Sequence, residues 1–171
     1  MKMKYFSLIT LLFCLQLSGT LFGQELFKSF EFKMPIAEAK SVLTNEGKTL
    51  KNLSFGPGTS FTLRKKSLVE KDDKLISINL GSKKNLSLQQ AVNYLKKVRA
   101  YFESQSYKVV YAQENWSNPV LIKKNLPCIR FVDSNKKVVV EMYPRGQGSI
   151  YNVFITFYNY NWFLRKARGE E

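Results

Sequence analysis

The sequence SLQQAVNYLKKVRAYF, residues 87–102, decides the fold because its pattern predicts a long amphipathic helix. Ser87 can cap the first turn, and Gln90, three residues later, completes a capping-box pattern. The apolar residues of the segment recur at helical spacing and share one face: Leu88, Ala91, Leu95, Val98 and Phe102. A helix with one apolar face must bury that face against another element, and the flanking segments predict that this element is a β-sheet.

Outward from this helix, the sequence predicts one shorter helix and a series of strands. Residues 36–46 predict the shorter helix, because apolar residues recur at helical spacing between Pro35 and Gly47, which suit its two ends. Apolar, β-branched and aromatic runs bounded by turn residues predict strands over residues 26–34, 53–55, 61–63, 75–80, 107–112, 129–132, 138–143 and 151–163.

The order of these elements predicts the fold class α+β, with an antiparallel sheet and two helices packed on one face. Short turns between successive strands favour antiparallel pairing. Each helix precedes a run of strands, as if an α-then-β unit occurred twice. We therefore expect a single α+β domain over residues 24–164, followed by a frayed tail of basic and acidic residues over 165–171.

Residues 1–23 have the three parts of a cleaved signal peptide. Lys2 and Lys4 precede an apolar run over residues 5–17, and small and polar residues follow as far as Gly23. The alternative is a retained anchor, but polar residues interrupt this stretch, and a spanning helix needs roughly 20 apolar residues. The sequence therefore predicts export, to the periplasm or outside the cell.

Neither cysteine predicts a lipid anchor or a disulfide. Cys14 follows the bulky Phe13, where a lipoprotein signal needs a small residue. Cys128 is the only cysteine of the mature chain, so an internal disulfide is not expected even though an exported protein could form one. The apolar neighbours of Cys128 predict a small hydrophobic core residue rather than a reactive thiol.

Positive charge dominates the composition. The chain has 27 lysines and arginines against 13 acidic residues. Removing Lys2 and Lys4 with the leader leaves 25 basic and 13 acidic residues, a net charge of +12. Such a charge favours anionic partners, which include acidic proteins, acidic glycans and lipid head groups. Nucleic acid is not an expected partner, since an exported protein rarely meets it.

The sequence contains no histidine, which excludes several classes of enzyme. Histidine-activated serine or cysteine nucleophiles, histidine general bases and histidine metal ligands cannot be assembled. We therefore expect no catalytic site, no metal and no cofactor. The remaining enzymatic alternative is a carboxylate-dependent hydrolase around Glu114, whose neighbour Trp116 could stack on a sugar ring.

The segment KMPIAEAK, residues 33–40, introduces the first helix, and hairpins, a second helix and strands near Trp116 follow it. This order of elements resembles the tandem helix-plus-sheet envelope domains of the β-lactamase inhibitor protein and of small outer-membrane assembly lipoproteins. The resemblance covers nearly the whole mature chain, but the chain lacks the disulfides of the inhibitor family and a proper lipobox. It implies protein binding rather than chemistry.

The predicted C-terminal strand, residues 151–163, has apolar side chains on both faces. One face has Tyr151, Val153, Ile155 and Phe157, and the other has Phe154, Tyr158, Tyr160 and Trp162. A strand with one solvated face alternates apolar and polar residues, so the second face is expected to be covered by helices, by another chain or by a ligand. Because aromatic residues are enriched at binding hot spots, this second set and Trp116 are candidate binding residues.

Lysines occur in five adjacent pairs: Lys65-Lys66, Lys83-Lys84, Lys96-Lys97, Lys123-Lys124 and Lys136-Lys137. If several pairs gather on one edge, they form a cationic rim for an acidic partner; if they scatter, they bind nothing specific. The candidate cations for such a rim are Lys123, Lys124, Lys136 and Lys137.

These patterns favour an exported, non-enzymatic binding module of the bacterial cell envelope. It would present aromatic rings and lysines to an acidic protein partner, as an inhibitor, an immunity protein or an accessory subunit does. The alternative is a binder of carbohydrates or lipid head groups that uses the same side chains. Homo-oligomerisation through the C-terminal strand is a further option.

Cleavage after Gly23 predicts that the protein isolated from its native host begins at Gln24. Intact-mass spectrometry checks this prediction by the loss of residues 1–23. Recovery of the unprocessed chain from the cytosol would contradict export.

Overall fold

A computed structural model describes residues 24–171, and the leader predicted over residues 1–23 lies outside the described residues. The described residues form five α-helices: α1 (Ile36–Asn45), α2 (Gly47–Leu50), α3 (Leu88–Ser104), α4 (Pro119–Lys123) and α5 (Tyr160–Ala167). They also form nine strands: β1 (Glu25–Phe27), β2 (Phe30–Glu31), β3 (Phe61–Thr62), β4 (Leu68–Lys71), β5 (Lys74–Ser82), β6 (Lys108–Gln113), β7 (Cys128–Val132), β8 (Val138–Gln147) and β9 (Ile150–Asn159). The predicted α+β class is confirmed.

Seven of the strands form one antiparallel sheet. Its order is β3, β5, β9, β8, β7, β6, and β4 pairs with β5 beside β3. The strand β9 comes last in the chain but pairs with β5 on one side and with β8 on the other. The two shortest N-terminal strands, β1 and β2, form a separate hairpin. The predicted antiparallel pairing is therefore confirmed.

Helix α3 forms where the sequence predicts it and for the predicted reason. The Ser87 hydroxyl accepts a hydrogen bond from the Gln90 backbone N–H at 3.3 Å, and the Gln90 side chain accepts one from the Ser87 N–H at 2.8 Å. The apolar stripe of the helix is buried against the sheet, with its main contacts on β9 and β8. Helix α1 buries its own apolar face in the same core, so the two predicted helices share it, and the short helices α2 and α4 add Leu50 and Ile122 to it.

Phe102 lies at the centre of this core. Its ring centroid is 5.6 Å from that of Phe55 in the loop before β3, 5.3 Å from Phe131 on β7 and 6.2 Å from Phe157 on β9. Rings at these separations attract one another, and this attraction stabilises the fold in addition to the burial of their apolar area. One side chain of α3 therefore connects a loop with two strands of the sheet.

The predicted C-terminal strand is wrong beyond Asn159, where β9 ends and α5 begins. The Asn159 side chain caps the new helix by accepting a hydrogen bond from the Trp162 N–H at 2.9 Å. The Tyr160 N–H donates to the Lys137 carbonyl at 2.8 Å. Tyr160 and Trp162 therefore lie on a helix, which packs against the face of β8 and β9 opposite to α3.

The segment expected to fray, residues 165–171, begins as the last turn of α5 and then folds back. The Arg165 side chain donates to the Glu171 carboxylate at 2.7 Å, and Lys71 of β4 lies 3.8 Å from the same carboxylate. The tail thus makes ion pairs with the domain rather than projecting from it.

Two other local differences have simple causes. The single strand predicted over residues 26–34 is divided between β1 and β2 by a turn in which Lys28 has a φ of 54°. Helix α4 is not predicted from the sequence, although Asn118 caps it by accepting from the Val120 N–H at 3.0 Å and proline occupies its first position.

Replacing Phe102 with alanine is expected to lower the free energy of unfolding by about 3–5 kcal/mol, because the cavity left among the rings cannot collapse. Urea unfolding monitored by circular dichroism measures the loss. Val120→Ala is the matched control on an exposed position of α4, and its effect is expected to stay within about 0.5 kcal/mol. Equal losses in the two variants would contradict the central position of Phe102.

Candidate functional site

The sheet has a core face, covered by α3, and an opposite face that we call the open face. The strand register assigns residues to it. Thr156 on β9 is opposite Asn79 on β5 and Glu141 on β8, and Phe154 is opposite Gly81 and Tyr143. Because side chains alternate along a strand, all of these residues share the open face. Helix α5 covers only one end of that face, so the remainder is available to a ligand.

At the end covered by α5, an arginine is held between two rings. The Arg130 guanidinium lies 5.0 Å from the centroid of Tyr111 and 5.4 Å from that of Phe163 on α5. Its Nε donates to the Glu141 carboxylate at 2.6 Å. Burial alone would lower the pKa of Arg130, but the hydrogen bond and charge of Glu141 outweigh it and raise the pKa. Arg130 is therefore already paired with Glu141 within the protein and does not serve as a free cation.

In the middle of the open face, two stacked rings cover the strands. The rings of Tyr143 and Phe154 are 5.6 Å apart and nearly parallel, and the Arg145 guanidinium lies 4.3 Å from the centroid of Tyr143. A Cβ atom at Gly81 would lie 3.3 Å from the Phe154 ring, so glycine gives this ring room to lie across β5. The Tyr143 hydroxyl accepts from the Asn79 side chain at 3.2 Å. These contacts hold the rings flat on the sheet.

Beyond these rings, the open face forms two adjoining cavities of about 420 and 530 Å³. Both are lined by Asn85, Asn152 and Phe154. Four cations complete the lining of what we call the basic groove: Arg64, Lys66, Lys83 and Arg145. No acidic residue of the described chain lines either cavity, and none of the four cations forms an ion pair within residues 24–171.

Asparagine side chains supply part of the uncharged polar lining of the basic groove, beside Thr62, Ser67, Ser82 and Gln147. The Asn152 amide oxygen accepts from the Ser82 hydroxyl at 3.2 Å. The Asn79 amide oxygen is buried and has no hydrogen-bond partner among the described residues. The groove therefore combines free positive charge, amides and one aromatic ring, a combination suited to an anion that also carries polar groups.

The predicted aromatic residues do not form one surface. Phe154 lines the basic groove, and Tyr158 is half-buried with its ring 5.9 Å from that of Trp162. Burial raises the pKa of Tyr158, and the nearby Glu141 charge adds to the shift. Trp162 is buried on the side of α5 that packs against Tyr158, and Tyr160 is partly buried at the start of that helix. Of the four, only Phe154 lines the basic groove.

The predicted cations are exposed but lie outside the basic groove. Lys123 and Lys124 are at the end of α4, and Lys136 and Lys137 are in the turn between β7 and β8. The groove instead contains Lys66 and Lys83, one member of each of two other lysine pairs, together with two arginines. The lysine pairs in the sequence could have pointed to Lys66 and Lys83. Arg64 and Arg145 belong to no lysine pair, and nothing marks them as groove residues until the strands are paired.

Glu114 and Trp116 lie on the α3 side of the domain, away from the open face. Arg99 of α3 donates to Glu103 at 2.9 Å and also forms an ion pair with Glu114. The hydrogen bonds to Glu103 and Glu114 raise the pKa of Arg99. Trp116 lines a cavity of about 390 Å³ together with Glu103 and Glu114, but it is only 4% exposed, which leaves little of its ring for stacking on a sugar. This geometry does not favour the alternative of a carboxylate-dependent hydrolase.

Strand β9 has a neighbour on each side, so it has no free edge for pairing with a second copy. Self-association through this strand would have to use its open face. Within residues 24–171, no three acidic or cysteine side chains cluster closely enough to hold a metal ion. No helix in that range combines the length and the hydropathy needed to cross a bilayer.

The chain matches no protein-family model, no curated protein and no solved structure in the comparisons made with them. Function is therefore inferred from the geometry of the open face.

Cys128 begins β7 and is half-buried. Burial raises the pKa of its thiol, and the Glu141 carboxylate adds to the shift. We expect alkylation by iodoacetamide to show a midpoint at higher pH in the folded protein than in urea, because only the thiolate reacts. Since the folded state binds this proton more tightly, the contribution of Cys128 to stability should fall as the pH rises from the ordinary thiol pKa to the raised one. A folded-state midpoint at or below that in urea would contradict the burial of the thiol.

Proposed function

We propose that this protein is an exported, non-enzymatic binding module that holds an anionic partner in its basic groove. One observation carries the proposal: Arg64, Lys66, Lys83 and Arg145 line two adjoining cavities with no acidic residue of the described chain among them. Cations that lie side by side repel one another unless counter-charge is supplied. An anion in the groove supplies that charge.

The partner that fits best is an acidic surface of another protein. The groove is open rather than enclosed, and its two cavities adjoin along the open face, so a protein surface can reach all four cations. The arginines can each hold a carboxylate through two parallel hydrogen bonds. The net charge of +12 after the leader supports attraction over longer distances and a fast encounter. An inhibitor, an immunity protein and an accessory subunit all fit such a binding module.

An acidic glycan is the second candidate, and a specific observation favours it. Asn79, Asn85 and Asn152 place three amides beside the ring of Phe154. Amides bind sugar hydroxyls, and aromatic rings pack against the apolar faces of sugars, while the cations would hold uronate or sulfate groups. This candidate uses the same groove but requires the amides, which an acidic protein surface does not.

Reversing two charges in the groove, Arg64→Glu with Lys83→Glu, is expected to weaken binding of polyglutamate by roughly tenfold or more. The matched control is Lys123→Glu with Lys124→Glu, which changes the net charge equally outside the groove. Fluorescence anisotropy with labelled polyglutamate measures the affinities over a range of NaCl concentrations. The salt dependence should become weaker in the groove variant, because fewer screened contacts remain.

Equal losses in the two double variants would show that net charge alone binds the polyanion and would contradict a site in the groove. Polygalacturonate in place of polyglutamate separates the two candidates. If Asn85→Ala and Asn152→Ala weaken binding of polygalacturonate but not of polyglutamate, the glycan is favoured; if they change neither, the acidic protein remains the better partner.

A further inference from the structure

A second concave surface lies on the open face, at the end where α5 packs. It is a cavity of about 260 Å³, which we call the α5 groove. Most of its lining is apolar and comes from three strands and the helix: Val110, Val132, Val139, Tyr160, Phe163 and Leu164. Cavities that hold small organic ligands usually have about 300–1,000 Å³, so this groove suits a single side chain better than a whole small molecule.

Strand β6 forms one wall of the α5 groove and is also an edge strand. Within residues 24–171 it pairs with β7 alone, so its other edge carries backbone groups without a partner strand. The register shifts between Val109 and Tyr111, which leaves Val110 as the extra residue of a β-bulge. Bulges redirect side chains. Here the redirected valine lines the groove and is 60% exposed.

Exposed apolar side chains cluster around this edge. Tyr111 is 42% exposed and Leu164 of α5 is 37% exposed. Large hydrophobic residues that are exposed together, rather than singly, mark surfaces that contact other proteins. Val110 belongs to the edge strand β6 and also lines the groove. One ligand could therefore contact the strand edge and the groove together.

Two lysines and one aspartate supply the charges around the α5 groove. Lys108 and Lys136 line it, and neither forms an ion pair within the described residues. Asp133 also lines it, but its carboxylate accepts hydrogen bonds from the Lys137 and Val138 N–H groups, each at 2.6 Å. That carboxylate holds the turn between β7 and β8. A ligand would therefore meet two lysines without ion-pair partners in the described residues, beside an apolar groove whose one carboxylate is already hydrogen-bonded to the backbone.

We propose that the α5 groove and the free edge of β6 together bind an extended, acidic segment of a protein partner. The segment pairs its backbone with β6, inserts one large apolar side chain into the groove and places acidic residues against Lys108 and Lys136. Strand addition at a sheet edge combines backbone hydrogen bonds with pockets for alternate side chains. Charge decides against a second copy of this chain, since two molecules of net charge +12 repel each other.

This site is independent of the basic groove, because the two share no lining residue. Selection of random heptapeptides displayed on phage against the purified protein tests the site without requiring the natural partner. We expect the enriched peptides to have one large apolar residue flanked by acidic residues. A synthetic peptide of the enriched sequence is then titrated calorimetrically.

The variants Val110→Lys and Leu164→Glu are each expected to lower the affinity for the enriched peptide by roughly tenfold or more, since each places a charge at the apolar contact. Lys108→Glu should also weaken it and should remove part of its salt dependence. Val120→Lys, at a 56% exposed position on α4, is the matched control and should not change the affinity. Circular dichroism verifies that each variant is folded.

Hydrogen exchange distinguishes strand addition from simple insertion of a side chain. Bound peptide should slow the exchange of backbone amides on β6, because those on the free edge acquire partners. The basic-groove variant, Arg64→Glu with Lys83→Glu, should retain the affinity for the peptide, which separates this test from that of the proposed function.

Four results would overturn the inference. They are the absence of any enriched peptide, enriched peptides without acidic residues, affinities unchanged in both Val110→Lys and Leu164→Glu, and unchanged exchange on β6. Decanoate that binds in the α5 groove while no peptide is enriched would identify an acyl chain as the occupant. Dimers that strengthen with NaCl and dissociate in Val110→Lys would identify a second copy instead.

Discussion

The burial of the apolar stripe of α3 against β9 and β8 is the constraint on which the other features of the domain depend. Apolar area removed from water is the main favourable term in folding, and α3 is the longest helix of the described residues. Phe102 shows how this burial organises the fold, because its ring joins α3 to a loop, to β7 and to β9. One face of the sheet is covered by the core, and the other is covered only in part, by α5.

The open face has charges of two kinds, and the difference between them is the basis for the place proposed for an anionic partner. Arg130 is compensated by Glu141 and packed between two rings, so it stabilises the end of the sheet that α5 covers. Arg64 and Lys83 have no such compensation within the described residues. An ion pair already made inside a protein has little to gain from a ligand, whereas a free cation has a full interaction to offer. We therefore expect anions to bind in the basic groove, away from α5. Apolar side chains of a partner are expected to bind beside α5, in the α5 groove.

Helix α5 divides the open face into these two regions, and its start depends on one side chain. Asn159 ends β9 by capping the helix, which directs Trp162 onto Tyr158 and Phe163 onto Arg130. Had the strand continued, its aromatic residues would have stayed on the sheet and no groove would exist beside β6. The helix that begins at this cap thus forms one wall of the apolar groove, and it explains why the aromatic residues predicted as one surface are dispersed.

The α+β class, the position and capping of α3, the antiparallel strands and the excess of positive charge could all be predicted from the amino acids alone, because periodicity, capping and composition are local properties of the chain. The sequence indicated through its lysine pairs that cations could gather, but it did not identify Arg64 and Arg145 or exclude Trp116 and Trp162 as exposed binding residues. Alternating aromatic residues also fitted a strand as well as a helix beyond Asn159. These points follow from the folded structure, since they depend on which strands are neighbours and which face α5 covers. Residues far apart in the chain become one site only when β5, β9 and β8 pair.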